Sequence, residues 1–424
     1  LNMQSRDLIA MLSGARERTL ALVADLSDEQ LRVPCIDIIN PPVWEIGHVA
    51  WFQERWALRH QRGLEPNRPD ADSFWDSAAV AHDTRWELPL PSCGETLGYM
   101  QQVLDRVLER LDREEVSRQE AYFHWLAAMH EDMHGEAFTY TRQTLGYPAP
   151  TLSGQVEAAR AVDDLSEEDA FVPSGCYLLG AERGELFVFD NEKWAHPHHV
   201  QPFAISRTTV TNAQFAAFVD DGGYRHEKCW SEEGWQWRQQ AQASCPVYWS
   251  ADGSRWIVRQ FDQTAPLAPE LPIIHVNWYE ADAYCRWAGR RLPAEAEWEL
   301  AATGFEGKRR FPWGDERPTG ERAHLDARTS GCIPASALSG SESVFGCRQM
   351  IGNVWEWTAT DFLPYPGFIV DPYKEYSEPW FGSERKVLRG GCWATPSRLI
   401  RNTWRNYFTK ERRDIFAGFR TCAL

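Results

Sequence analysis

Two histidines four residues apart, His130 and His134, have a spacing that places both imidazoles on one face of an α-helix. The segment around them, residues 117–145, has no proline and no glycine before Gly135, which predicts a long helix. Such a pair alone is about as common in ordinary helices as in metal sites. A metal site therefore requires a third ligand.

The candidate third ligand is His48, which follows Asn40 and the Pro41-Pro42 pair, residues typical of a helix start. A single histidine among apolar neighbours is more often a core residue bonded to a backbone carbonyl. Three neutral imidazoles without a cysteine leave coordination positions open, as in catalytic zinc sites and in non-haem iron sites that bind substrate and dioxygen. The spacing does not distinguish between these two metals.

The composition excludes several classes of protein. The chain has 424 residues, enough for two or three domains, and its net charge of -17 argues against nucleic acid and anionic membranes as partners. Its ten cysteines include no CxxC pair, which indicates reduced thiols and a cytoplasmic protein rather than a disulfide framework. The N-terminal segment predicts an amphipathic helix rather than a signal peptide, and no stretch has the length of a membrane span.

The apolar periodicity changes along the chain, which predicts a multidomain α and α+β protein. Residues 1–150 have the pattern of a four-helix bundle, with helices predicted at residues 5–26, 43–61, 96–113 and 117–145. Residues 151–170 are acidic with little to bury, which predicts a linker. In residues 171–424 short apolar runs alternate with glycine and proline, which is typical of an α+β domain with short strands.

The second half carries six motifs in order: VTNAQFAAFV from Val210, VNWYEADAYCRWAGRRLPAEAEWE from Val276, FPWGD from Phe311, GNVWEWT from Gly352, VLRGGCW from Val387 and FAGFR from Phe416. This series resembles the formylglycine-generating-enzyme-like superfamily, a variant of the C-type lectin fold, over residues 171–424. Oxidases of that superfamily bind copper through two cysteines after the RGGS-type motif, and Thr395 and Ile400 stand at the matching positions. The resemblance therefore argues against formylglycine oxidase chemistry.

The first half contains NPPVWEIGH, which ends at His48, and HEDMH, which runs from His130 to His134. Both resemble motifs of the DinB-like metal-binding bundle. Fused to the second module in this order, the chain resembles the non-haem iron sulfoxide synthases of ergothioneine biosynthesis. The resemblance implies an oxidoreductase that binds Fe²⁺ through His48, His130 and His134. It also implies small-molecule substrates, namely hercynine, a sulfur or selenium donor and O2.

Further site residues follow from the same resemblance. The segment YKEYSEPWF, residues 373–381, matches a tyrosine-containing segment of the family. By this match, Tyr373 is the proton or hydrogen donor, and Tyr376 helps to hold the histidine-derived substrate. Asn406 and Tyr407 match the family's substrate-binding asparagine and aromatic residue.

Three candidate substrate-binding residues differ from the pattern of the ergothioneine enzymes. Met133 replaces a glutamine before the last ligand, Phe408 replaces an aspartate that binds γ-glutamylcysteine, and Arg85 stands alone where those enzymes have two arginines. These departures indicate a different second substrate. The chain looks most like the selenoneine synthase branch, in which hercynine is joined through a C–Se bond to a selenosugar of the 1-seleno-glucose type.

Other interpretations of the sequence stay open. One is an ergothioneine-type sulfoxide synthase that uses cysteine or γ-glutamylcysteine, and another is a zinc-dependent DinB-type thiol transferase with a lectin-like module. A third is a carbohydrate-binding protein without activity. The segment DNEKW, from Asp190, could contact a sugar hydroxyl or stabilise an acidic turn. Asn353 and Glu356 in GNVWEWT are expected to be scaffold residues.

Overall fold

The computed structural model describes residues 3–162 and 168–424. These residues divide into two units, of which the first comprises Leu1–Arg142 with Pro150–Ser153 and the second comprises Gln143–Ala149 with Gly154–Leu424. No helix of the described residues combines the length and the hydropathy needed to cross a bilayer. All ten cysteines are described, and they are free thiols.

The first unit is helical, as the sequence predicts. Its helices are α1 (Met3–Val23), α2 (Pro42–Gln53), α3 (His60–Arg62), α4 (Ala71–Trp75), α5 (Cys93–Arg113) and α6 (Arg118–Leu145, the last three residues of which belong to the second unit). A π-helical turn, Glu54–Arg59, joins α2 to α3. Pro42 begins α2, where its missing N–H costs no hydrogen bond, and Ser92 forms a capping box with Glu95 at the start of α5.

One buried guanidinium joins the four longest helices of the first unit. Arg16 on α1 donates to Glu131 on α6 (2.9 Å), to Gln53 on α2 (2.7 Å) and to the carbonyl oxygen of Met100 on α5 (2.5 Å). The side chains of Arg16 and Glu131 are each only 2% exposed. Because a buried charge requires a partner, these contacts restrict how the four helices can pack.

The described residues of the second unit form four small sheets and four α-helices that lie entirely within it. The sheet orders are β1-β4-β13-β8, β11-β10-β9-β12, β2-β3 and β5-β6-β7, and the pairs are antiparallel except β12 with β9. The strands are β1 (Ala170–Val172), β2 (Gly175–Leu179), β3 (His196–Val200), β4 (Phe203–Ile205), β5 (Trp249–Asp252), β6 (Arg255–Gln260), β7 (Gln263–Pro266), β8 (Arg290–Arg291), β9 (Trp355–Phe362), β10 (Gly382–Arg389), β11 (Asn406–Thr409), β12 (Ala417–Gly418) and β13 (Cys422–Ala423). The helices are α7 (Asn212–Asp220), α8 (Glu232–Gln240), α9 (Trp278–Trp287) and α10 (Glu295–Thr303).

Buried ion pairs hold the core of the second unit. Glu295 on α10 accepts from Arg405 (2.7 Å) and from Arg389 on β10 (3.2 Å). Glu356 on β9 accepts from Arg420 (2.7 Å) and from the indole N–H of Trp298 (2.8 Å). Glu356 is therefore a scaffold residue, as expected from its motif.

Residues 154–162 of the predicted acidic linker belong to the second unit and are bonded to it. The backbone N–H of Val156 donates to the carbonyl oxygen of Arg328 (2.7 Å), and that of Val162 donates to Ser336 Oγ (3.2 Å). Residues 163–167 lie outside the described residues. The domain boundaries expected at residues 150 and 170 stay predictions.

Replacement of Arg16 by methionine is expected to lower the free energy of unfolding by about 3–5 kcal/mol, because Glu131 would keep a buried charge without its partner. Arg113→Met is the control, since Arg113 pairs with Glu109 at the surface, with side chains 71% and 56% exposed. We expect that change to cost less than about 1 kcal/mol. Urea denaturation followed by circular dichroism measures both, and equal losses would contradict the importance of the buried pair.

Candidate functional site

The structure brings the three predicted histidines together in the first unit. His48 on α2 and His130 and His134 on α6 each offer a ring nitrogen, and these nitrogens all lie within 4.8 Å of one another. The Nε2 atoms of His130 and His134 are 3.2 Å apart. In residues 3–162 and 168–424, this is the one group of three or more His, Cys, Asp or Glu residues with metal-binding geometry.

Burial determines the charge of two of these imidazoles. His48 is 3% exposed and His130 is 5% exposed. Removal from water lowers the pKa of both side chains well below the usual value, and the neighbouring histidine His134 lowers them further. Both rings are therefore neutral at physiological pH, which is the form that binds a metal.

Two hydrogen bonds orient the rings. His48 Nδ1 donates to the carbonyl oxygen of Trp75 (2.8 Å), and His134 Nδ1 donates to Glu45 Oε1 (2.5 Å). Because these oxygens only accept, the hydrogen lies on Nδ1 and the lone pair lies on Nε2. The second oxygen of Glu45, Oε2, is buried and has no hydrogen-bond partner among the described residues, so this carboxylate lies in a site that favours a nearby cation.

Aromatic rings pack against the histidines. Phe52 stacks on His130 with ring centroids 3.5 Å apart, and Trp44 stacks on His48 at 4.8 Å. These contacts restrict the imidazoles to one orientation and shield them from water. The set of donors fits a divalent cation that three imidazole nitrogens hold, with coordination positions left for other ligands.

Glu45 is a residue of this site that the sequence analysis missed. It precedes His48 by three residues, so both side chains lie on the same face of α2. That spacing was the available signal. It could not show that the carboxylate would contact His134, because the contact joins α2 to α6.

Two of the predicted substrate-binding residues, Arg85 and Met133, also belong to the first unit. The Arg85 guanidinium lies 3.9 Å from the ring centroid of Trp44 and donates to Asn40 Oδ1 (2.6 Å). Burial lowers the pKa of Arg85 to about 10, and the nearby Glu45 raises it. Met133 is half-buried on α6 beside His134. Arg85 therefore adds a positive charge near Trp44, the residue that stacks on His48.

The second unit brings together the other predicted substrate residues. The rings of Tyr373 and Tyr376 are 6.3 Å apart, and those of Tyr376 and Tyr407 are 6.4 Å apart. The Tyr407 hydroxyl donates to the carbonyl oxygen of Tyr376. Burial raises the pKa of both Tyr376 and Tyr407, so these phenols keep their protons at neutral pH.

Strand β11 carries three of the predicted residues in sequence. Asn406, Tyr407 and Phe408 pair with Leu388, Val387 and Lys386 of β10, and all three side chains are half-buried. Asn406 Oδ1 accepts from the backbone N–H of Tyr407 (2.8 Å). The Phe408 ring lies 4.9 Å from the Arg412 guanidinium carbon, where an aspartate would place a carboxylate.

Thr395 and Ile400, at the positions of the copper-binding cysteines, are almost completely buried. The Thr395 hydroxyl oxygen accepts from the backbone N–H of Cys392 (2.9 Å), so its side chain stabilises a turn. Neither residue supplies a thiol. The expectation against formylglycine oxidase chemistry stays a prediction from the sequence.

Replacement of Glu45 by glutamine is expected to weaken divalent-metal binding by about 10- to 100-fold, because a neutral amide orients His134 less strongly and does not offset the metal's charge. Competition with a chromogenic chelator measures the affinity. Glu109→Gln, a change at an exposed residue of α5, is the control. Equal affinity in the Glu45 and Glu109 variants would remove Glu45 from the site.

Comparisons with known proteins agree with this division of the chain. Residues 11–138 match the DinB superfamily, and residues 155–423 match the sulfatase-modifying factor enzyme 1-like domain. The solved structure of PvdO from Pseudomonas aeruginosa covers 63% of this chain and 98% of its own, with a TM-score of 0.42 and 22% identity.

Two curated relatives extend over nearly the whole chain. The hercynine oxygenase of Mycolicibacterium thermoresistibile is 36% identical over 429 residues, which cover 98% of this chain and 94% of the relative. That of Mycobacterium tuberculosis is 36% identical over 423 residues, which cover 97% of each chain. Because this similarity includes both domains in the same order, the chain belongs to the hercynine oxygenase family of oxidoreductases.

Proposed function

We propose that this protein is an iron(II)-dependent hercynine oxygenase that joins hercynine to a sulfur donor, cysteine or γ-glutamylcysteine, with O2 as the oxidant. The observation that carries the proposal is the cluster of three imidazoles in a chain that resembles hercynine oxygenases over its full length. The sequence analysis favoured a selenosugar instead. The names of the relatives support hercynine chemistry and give no support to a selenium donor, so the ergothioneine-type alternative is the better supported.

The donors of the cluster suit iron(II). When bound, iron(II) would supply redox chemistry with dioxygen and open positions at which substrates meet. The chain's own part is to hold His48, His130 and His134 with their Nε2 lone pairs available, through Trp75 and Glu45. Burial lowers the pKa of His48 and His130, so these two rings are already in the neutral form that binds a metal.

We assign the proton or hydrogen donation to Tyr373, on the basis of its place in the tyrosine segment. A phenol can release either a proton or a hydrogen atom to an oxidised partner. Tyr376, Tyr407 and Asn406 are the proposed hercynine contacts. The trimethylammonium group of hercynine accepts and donates no ordinary hydrogen bond, so the faces of aromatic rings are suitable partners.

A second candidate function keeps the selenosugar as the donor. Phe408 lies opposite Lys386 in the β10-β11 pair and presents a ring where the γ-glutamylcysteine enzymes have a carboxylate. Met133 and the single Arg85 also differ from that pattern. These three residues are proposed to determine which chalcogen donor binds.

Aerobic turnover of the iron-loaded protein distinguishes the candidates. Hercynine is supplied with cysteine, γ-glutamylcysteine or 1-seleno-glucose, and the products are identified by mass spectrometry together with oxygen uptake. We expect a sulfoxide in which the sulfur of one of the two thiols is bonded to hercynine. If product forms only when the selenosugar is the donor, the second candidate function replaces the sulfur assignment. Activity with zinc and without oxygen uptake would support the thiol transferase and overturn both.

Replacement of Tyr373 by phenylalanine is expected to lower the rate at which the hercynine conjugate forms by about 100-fold or more. The variant keeps the ring but lacks the hydroxyl that would donate the proton or hydrogen atom. Iron content and hercynine binding should stay unchanged. Tyr284→Phe is the matched control, since that ring stacks on Phe215 in the core, with centroids 5.6 Å apart. Wild-type rates in the Tyr373 variant would reject the donor role.

A further inference from the structure

The segment 189–193 contacts two parts of the second unit that carry or adjoin the proposed substrate residues, namely the loop 371–377 and residues 401–405. Asp190, in a 3-10 turn, is 2% exposed, and its carboxylate lies against the loop 371–377, which carries Tyr373 and Tyr376. The Ser377 hydroxyl donates to Asp190 Oδ1 (2.5 Å). The backbone N–H of Asp371 lies 3.4 Å from Asp190 Oδ2. One buried carboxylate therefore contacts both ends of the tyrosine loop.

The neighbours of Asp190 reinforce this attachment. Lys193 forms an ion pair with both carboxylate oxygens of Asp371, at 2.8 and 2.6 Å. Phe189 stacks on Tyr376, with ring centroids 4.3 Å apart and planes at 16°. The loop is thus held by a hydrogen bond at its end, an ion pair at its start and a stacked ring at Tyr376.

The same segment is attached to the residues that precede β11. Glu192 accepts from Arg401 (2.8 Å) and from the Thr403 hydroxyl (2.7 Å), and the carbonyl oxygen of Asn191 accepts from Arg405 (2.8 Å). These contacts position the turn relative to the strand that carries Asn406 and Tyr407. The 189–193 segment therefore links the tyrosine loop to the other proposed hercynine contacts.

We propose that Asp190 is a positioning residue, which holds the loop of Tyr373 and Tyr376 in the geometry of the reaction through its contacts with Ser377 and the backbone of Asp371. The inference rests on the proposed function, and it adds a residue for which the sequence suggested a sugar contact or an acidic turn. Direct contact with a substrate does not fit a side chain that is 2% exposed.

The electrostatics of the site agree with a role in packing rather than at the surface. Burial raises the pKa of Asp190 to about 6, and the charge of Asp371 acts in the same direction. The Ser377 hydrogen bond and the charge of Lys193 lower this pKa. At neutral pH the carboxylate is ionised and accepts strongly from Ser377, because hydrogen bonds to a charged acceptor are stronger than neutral ones.

The experiment uses the full-length protein and the variants Asp190→Asn and Ser377→Ala. Hydrogen–deuterium exchange of the metal-free protein should become faster in the peptide that covers residues 371–381 and should stay unchanged in α7. With iron loaded, kcat should fall about tenfold in each variant, because a small displacement of a donor group costs rate. The double variant should be no slower than the slower single variant, because both changes act on one hydrogen bond: Asp190→Asn removes the charge that strengthens it, and Ser377→Ala removes its donor.

Two controls separate positioning from general destabilisation. Asp221→Asn removes a carboxylate that accepts from the indole N–H of Trp287 (2.8 Å), and it should alter neither exchange in the loop nor kcat. In a Tyr373→Phe background, Asp190→Asn should cause no further loss of kcat, and its effect through Tyr376 should remain as a higher KM for hercynine. A loss of full size in that background would show that Asp190 does not act through Tyr373 and would overturn the proposal.

Unchanged exchange in residues 371–381, or faster exchange with an unchanged kcat, would also overturn the proposal. Failure of the proposed donor role shows separately, as a wild-type kcat in Tyr373→Phe alone. The exchange measurement needs neither iron nor substrate, so it tests the attachment of the loop independently of the reaction.

Discussion

The requirement that a buried charge has a partner is the constraint on which the first unit depends. Arg16 meets this requirement by bonding to Glu131, Gln53 and Met100, one on each of three other helices. Glu131 directly follows His130, so the contact that packs the bundle also sets the rotation of α6. His48 and His130 are buried as neutral imidazoles, so they carry no charge that needs a partner.

The second unit separates its scaffold from its proposed substrate residues. Buried carboxylates on α10 and β9 pair with an arginine of β10 and with arginines of the C-terminal segment. These ion pairs join short strands that long loops connect. The proposed substrate residues lie on a loop and at one strand, where changes of side chain do not disturb the core. Phe408 lies on β11, and the tyrosine loop 371–377 contacts the 189–193 segment.

The family could be predicted from the sequence, whereas the choice of donor could not. The resemblance to enzymes that use hercynine rests on motifs in both units, such as HEDMH, which ends at His134, and the segment from Tyr373. The preference for a selenosugar depended on single departures at Met133, Phe408 and Arg85. A single side chain changes the shape and charge of a pocket without identifying the ligand that fits it, and the relatives therefore carry more weight.

The sequence by itself determined the helical first unit, the α+β second unit and the His130 and His134 pair, because helical periodicity and residue spacing are local properties. His48 was a candidate third ligand, and the packing of α2 against α6 brought it to the pair. Only the tertiary structure decided the contacts that orient these groups. Glu45 bonds to a histidine 89 residues later, and Asp190 bonds to Ser377 across 187 residues. Such partners have no common sequence pattern, since they meet only when helices and loops that are distant along the chain pack together.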